Sequence, residues 1–290
     1  MAVVHRKSES LWVGAGRILL ARKAALWGLG IVLLFVFLAI IAPMIALEPY
    51  DLANPSYNPL DSLKPPSCSH WFGTDDLGRD IFSRVVYGSR ISLAVGLFAV
   101  TGSLLVGSGL GLIAGFYGKW VDLMISRVFD LILAFPSILL AIVIVTILGP
   151  SLFNALLAIA IINIPTYGRL VRSKVLSIKE EEYITAARII GMSDARILFV
   201  HILPNSISPL IVQATIGIGS AIIEAASLSF LGMGAQSPQP EWGKMLSDAR
   251  PYLTLAPWTM IFPGVAIMLV VLGFNMFGDG LRDALDPKAK

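Results

Sequence analysis

Long uncharged stretches divide this chain, and its polar residues gather in a few short intervals between them. Ala24 to Leu47, Ile91 to Gly118, Ile197 to Ile223 and Pro251 to Gly278 each exceed the roughly 20 residues that a helix needs to cross a bilayer. The run Leu131 to Gly168 is about twice that length and is interrupted at Gly149-Pro150, a turn signal that predicts two helices joined by a tight hairpin. The pattern therefore predicts an all-α, polytopic membrane protein with six transmembrane helices. A large soluble protein with buried helices would need polar faces at helical spacing, and these runs lack them.

One polar interval reads differently from a simple loop. Glu180-Glu-Glu-Tyr-Ile-Thr-Ala-Ala-Arg-Ile-Ile-Gly191, followed by Met192-Ser193-Asp194-Ala-Arg196 and onward to Pro204-Asn205, predicts two short helices with defined ends. Three acids at Glu180 to Glu182 suit the positive N-terminal pole of a helix. Gly191 can take the left-handed conformation that stops it. Ser193 suits the cap of the next turn, and Asp194 adds negative charge there. The small side chains of Ala186 and Ala187 leave a low surface that the groove of another protein can meet closely. A membrane protein with such an element on one face is expected to be driven by a partner.

Composition agrees with the pattern: 14% of residues are charged and 56% hydrophobic, against about 25% charged in soluble domains. Lys and Arg near the span ends give the orientation. Arg6, Lys7, Arg17, Arg22 and Lys23 place the N-terminal tail in the cytoplasm, and six crossings return the C-terminus to the same side. The segment 180–205 is then cytosolic. Glu48 to Arg90, Gly149-Pro150 and Gly232 to Pro257 face outward. The expected organisation is a tail 1–23, a first span 24–47, an external loop 48–90 with an amphipathic segment, a five-helix core 91–280 and a tail 281–290. The first span is too long for a cleaved signal peptide, and no small-x-small cleavage site stands out after it, so an uncleaved signal anchor is expected.

Candidate chemistry is sparse. No G-x-x-x-x-G-K-[ST] loop is present to cradle a nucleotide. The histidines His5, His70 and His201 are far apart in sequence, with no metal-ligand spacing. Cys68, the single cysteine, has no internal disulfide partner. No catalysis, cofactor, metal or nucleic acid is expected for this chain. Carboxylates inside spans are costly and mark functional positions. Asp130 has Arg127 one turn before it as an expected partner. Glu224 lies deeper, and it and Gln213 are candidates for a pathway or gating role, with a wet cavity or a helix partner as the alternative for Glu224. Gly107, Gly111 and Gly115 recur every four residues, which favours close helix packing. Pro136, Pro165, Pro209 and Pro263 are candidate kinks.

Several blocks carry a resemblance to a known family. Thr185-Ala-Ala-x-x-x-Gly191, then nine residues and His201-x-Leu-Pro204, resembles the EAA motif of ABC importer permease subunits, with Thr185 replacing the usual Glu and His201 the usual Ile. His70 to Arg90, Ala225 to Gly232, Glu241-Trp242-Gly243 and Phe274 to Pro287 resemble blocks of the dipeptide and oligopeptide branch, and of its second, C-type, permease subunit. The resemblance implies the type I ABC importer permease fold in the inner membrane. It also implies a heterodimer with a homologous permease, two cytosolic ATPase subunits that hold ATP and magnesium, and an external solute-binding protein. Residues 181–196 would form the coupling helices, with Glu181, Glu182, Thr185, Ala186, Ala187, Arg188, Gly191, Met192, Ser193 and Asp194 at the ATPase interface. Trp71, Asp75, Asp76, Glu241 and Trp242 are candidate contacts for the binding protein, while the first of these segments can instead lie at the lipid surface and seal the second span. Peptide is the expected substrate; glutathione, nickel or another small solute are alternatives, and an ion-coupled carrier or an inert scaffold are less favoured classes.

Overall fold

The computed structural model describes residues 11–45 and 59–285. Expectations about Arg6, Lys7, the first part of the external loop and the last five residues lie outside these. The described residues form helices without a strand. In order they are α1 (Leu11–Ala21), α2 (Lys23–Ile45), α3 (Ile81–Tyr117), α4 (Lys119–Leu133), α5 (Ser137–Leu148), α6 (Leu152–Lys179), α7 (Glu182–Ile189), α8 (Asp194–Arg196), α9 (Leu203–Phe230), α10 (Trp242–Ala249) and α11 (Trp258–Leu285). A π-helical turn, Ile197–Ile202, joins α8 to α9.

Five helices, α2, α3, α6, α8 to α9, and α11, are long and apolar enough to cross a membrane, and the pair α4–α5 is apolar enough only when taken together across its 92° bend, which brings the count to five or six. That pair corrects the expected third span. A single helix from Leu131 to the hairpin does not form: α4 starts at Lys119, stops at Leu133, and α5 leaves at 92° after Pro136. The physical reason is Pro136, which lacks an N–H for the helical ladder and disfavours helical backbone at Phe135 before it. With 12 residues, α5 rises only about 18 Å and cannot cross alone.

A second correction concerns residues 70–90. The expected separate amphipathic helix at the surface is absent; its second half is the start of α3. Asp80 caps α3 by accepting a hydrogen bond from the Ser83 backbone N–H at 2.7 Å, and the helix then runs 37 residues without a break. Before it, residues 61–79 are stapled into a compact loop by backbone bonds such as Leu63 N to Asp75 O and Ile81 N to Gly73 O.

The core centres on α3 against α6. At Gly111 an added Cβ would lie 2.3 Å from the Gly168 carbonyl oxygen, and at Gly107 2.5 Å from that of Ile164. At Gly115 it would meet the Val175 Cβ at 2.7 Å. Small residues thus let two backbones touch where bilayer lipid offers no hydrophobic drive to association. Phe129 of α4 fills the hollow over Gly168, and α9, α11 and α2 close the bundle around α3. Gly111→Ala is expected to cost about 1–3 kcal/mol through overpacking and to lower the melting temperature of the detergent-purified protein by several degrees. Gly109→Ala, which meets open space, is the control; equal melting temperatures for both variants would refute the packing account.

Candidate functional site

The segment 180–205 is built from a glycine stop and a π turn. Gly191 sits at φ +83°, a left-handed conformation that costs an L side chain strain. Its N–H bonds the Arg188 carbonyl, and the Met192 N–H reaches back to the Ala187 carbonyl, each at 3.0 Å. This is the two-bond stop that the αL residue makes possible. Glu182 lies in the first turn of α7 and Arg188 in the last, both complementing the helix dipole. Ser193 occupies the cap position of α8 with extended backbone, but its hydroxyl makes no capping bond. The π turn follows from Pro204: with no N–H there, and its ring pressing on the preceding turn, the ladder widens so that the Leu203 N–H reaches the Leu198 carbonyl.

Which faces this element shows is a matter of tertiary structure. Ile184, Ala187, Ile197, Leu198 and Ile202 are buried in the main apolar core. Ala187 therefore packs inward against its own chain, which corrects the expectation that both alanines form a docking surface. Glu181, Glu182, Thr185, Ala186, Arg188, Gly191, Ser193 and Asp194 are exposed, and Met192 is half-buried. Ile189 and Ile190 stand 80% and 78% exposed beside Gly191. Sequence reading passed over them, although two large apolar residues between Arg188 and a stop glycine were the available signal.

Polar contacts tie this end of the bundle together. Lys179 Nζ donates to the Phe116 carbonyl at 2.9 Å, joining the end of α6 to that of α3, and the Arg188 guanidinium lies 5.3 Å from the centre of the Phe116 ring, within cation–π range. Arg172 of α6 grips Asp122 of α4 with Nε and Nη2. Asp130 pairs with Arg169 at 2.6 Å, while the expected Arg127 contact is a long 3.9 Å. The Tyr183 and His201 rings approach to 6.0 Å between α7 and the π turn.

The opposite end holds the other candidates. Trp71 is exposed and tilts against Phe82, 4.8 Å between ring centres. Asp75 accepts from the N–H groups of Leu77 and Arg79 and from Arg79 Nε at 2.6 Å. Asp76 is half-buried beside it, on a pocket shared with Arg79, Arg84 and Asp248. Glu241 and Trp242 correct their expected role as partner contacts, because both are buried. Glu241 caps α10, accepting from the N–H groups of Gly243 and Lys244 at 2.9 Å, and its burial raises its pKa. Trp242 donates its indole N–H to the Val85 carbonyl at 2.9 Å and meets Phe35 edge-on. They hold the loop 236–257 against α3 and present no side chain to a partner.

Within the spans, Glu224 of α9 accepts a hydrogen bond from Asn163 Nδ2 of α6 at 2.9 Å, and Gln213 lies half-buried on α9. Asn163 was not singled out in the sequence; an amide in an apolar span was its signal. Among the described residues no group of three or more His, Cys, Asp or Glu is placed to hold a metal.

Comparison with known proteins decides the family. Residues 107–290 match the model of the binding-protein-dependent transport system inner membrane component, and residues 10–66 that of the N-terminal transmembrane domain of oligopeptide transport permease C. This chain belongs to the binding-protein-dependent transport permeases. It is 63% identical to the dipeptide transport system permease protein DppC of Alkalihalophilus pseudofirmus over 281 residues, 97% of this chain and 91% of the relative. It is 53% identical to the glutathione transport system permease protein GsiD of Pectobacterium atrosepticum, covering 84% of this chain and 81% of the relative. Solved chains of the inward-facing MetNI methionine ABC transporter share the fold at a TM-score of 0.57 and 19% identity, covering 71% of this chain and 98% of that one. The protein is thus a multi-pass inner-membrane permease subunit.

The Asp76 carboxyl of this permease is raised above its ordinary pKa, first by burial and then by the charge of Asp75. A carboxyl raised in the fold binds its proton more tightly there than in the unfolded chain. Its stabilising contribution is therefore present at low pH and lost as pH rises through the raised value. Asp76→Asn should raise the melting temperature more at pH 8 than at pH 4, read by thermal unfolding of the purified protein. The same shift at both pH values would contradict this.

Proposed function

We propose that this permease is half of the translocation pathway of an ATP-driven peptide importer. It pairs with a second, homologous permease, takes substrate from an external solute-binding protein, and is moved by two cytosolic ATPase subunits that hold ATP and magnesium. The N- and C-termini lie in the cytoplasm. The observation that carries this reading is the element 181–196, stopped at Gly191 and backed by the core and by the ends of α3 and α6 while one face stays free. A lever must be rigid toward the part it moves and open toward the part that drives it. Ile184 and Ala187 in the core and the Lys179–Phe116 bond supply the first property. The exposed Ala186, Ile189, Ile190 and Gly191 supply the second, as a low apolar edge with Glu181, Glu182, Arg188 and Asp194 around it for polar contacts. Thr185 lacks the carboxylate common at this place in the family, and Glu181 or Glu182 on the preceding turn takes over its pairing.

Peptide is favoured as substrate by the dipeptide relative, and glutathione, itself a peptide, fits the same machinery. At the opposite end, Trp71, Asp75 and Asp76 remain the proposed contacts for the binding protein, and Glu224 and Gln213 belong to the pathway wall.

Gly191→Arg tests the lever. A side chain there adopts a strained backbone and occupies the space in front of the stop. In liposomes holding both permeases, the ATPases and the binding protein, ATP-dependent uptake of a labelled dipeptide should fall to less than a tenth, with membrane insertion of the variant unchanged. Uptake at the unsubstituted level would remove residues 181–196 from the docking role.

A further inference from the structure

From Gln213 onward, α9 carries a file of polar and small residues along one side. Gln213, Gly217, Ser220, Glu224 and Ser227 follow one another at spacings of four, three, four and three, which places them within about an 80° arc of the helix. No large apolar side chain falls in that arc between residues 213 and 227. Ser220 is exposed, and Gln213, Gly217, Glu224 and Ser227 are half-buried; at Gly217 the file abuts the Tyr167 hydroxyl of α6, 2.3 Å from where a Cβ would stand, so the file runs along the α6 margin of α9 with its Ser220 side open. Asn163 and the exposed Thr166 of α6 border it.

Glu224 is the decisive member. It is a carboxylate inside a span, it is open on one side, and its recorded partner is the neutral amide of Asn163. The salt bridges among the described residues pair it with no Lys or Arg. The charged form cannot face hydrocarbon, because such a group is driven to a water-filled cavity or to a partner charge. The amide fixes one carboxylate oxygen by a hydrogen bond and contributes no positive charge.

We propose that this file is the hydrated wall of the translocation pathway, and that Glu224 is the subsite that receives the α-ammonium group of a passing peptide. The inference rests on the importer reading above and adds a residue-level site to it. The chemistry fits one end of the substrate: an ammonium supplies the missing positive charge, Asn163 keeps the carboxylate aimed, and Ser220 and Ser227, one turn away on either side, offer hydroxyl groups to the peptide backbone. A single carboxylate with an uncharged supporting partner holds a cation without trapping it, as release on the far side demands.

Two measurements test this. In the reconstituted importer, Glu224→Gln keeps a hydrogen bond to Asn163 but removes the charge, and uptake of labelled dialanine is expected to fall at least tenfold. Glu224→Asp, which restores the charge, is expected to recover most of it. The second measurement needs no substrate. In a Cys68→Ser background, which removes the single native cysteine, Ser220→Cys and Ser227→Cys in the assembled complex should react with a membrane-impermeant thiol reagent, while Leu272→Cys, an exposed apolar position, should not. Labelled serine positions with uptake unchanged in Glu224→Gln would overturn the ammonium subsite. Serine positions that resist the reagent, or that cross-link to the partner permease, would overturn the wall and make the file a subunit contact. If the unsubstituted importer moves no dipeptide, the peptide reading itself has failed, and the labelling still reports on the wall.

Discussion

The architecture of this permease depends on one contact, the direct approach of α3 to α6 over Gly107, Gly111, Gly115 and Gly168. In a bilayer the exclusion of water does not drive helices together, so association relies on van der Waals packing at close range. Glycine on one helix lets the carbonyl groups of the other come where a side chain would stand. The ends of α3 and α6 are then held side by side, and the segment 180–205 is anchored to them. Lys179 bonds the Phe116 carbonyl, and Arg188 covers the Phe116 ring.

The same logic separates the two ends of the molecule. At one end the polar groups are organised to stiffen a projecting element: Arg172 with Asp122, Arg169 with Asp130, and a π turn that takes up the loss of an N–H at Pro204. At the other end they fasten loops onto helix starts. Asp80 caps α3, Glu241 caps α10, and Trp242 is sealed between α3 and α2. Between the ends the spans hold few polar side chains, which is why a carboxylate supported only by an amide stands out as chemistry and not as architecture.

A transporter of this kind needs parts that move as units. The bent pair α4–α5 is bound to α6 through Phe129 and the two arginine–aspartate pairs. The segment 181–196 is bound to the same core. The exposed edge beside Gly191 is thus backed by side chains packed in the same core as α3, α6 and α9.

The sequence by itself determined the all-α polytopic class, the stop at Gly191 and the family, because these depend on local rules. Apolar length sets a span, a left-handed glycine ends a helix, and motif spacing survives in one dimension. It also marked Gly107, Gly111 and Gly115 as packing positions, without naming the helix they meet. Only the tertiary structure decided that Ala187 turns inward while Ile189 and Ile190 face out. It also decided that Glu241 and Trp242 are buried, that Asp130 belongs to Arg169, and that Asn163 supports Glu224. Each of these joins elements that lie far apart along the chain, such as the 61 positions between Asn163 and Glu224. Helical periodicity states which residues share a face, but which face meets another helix is fixed by the packing of the whole bundle.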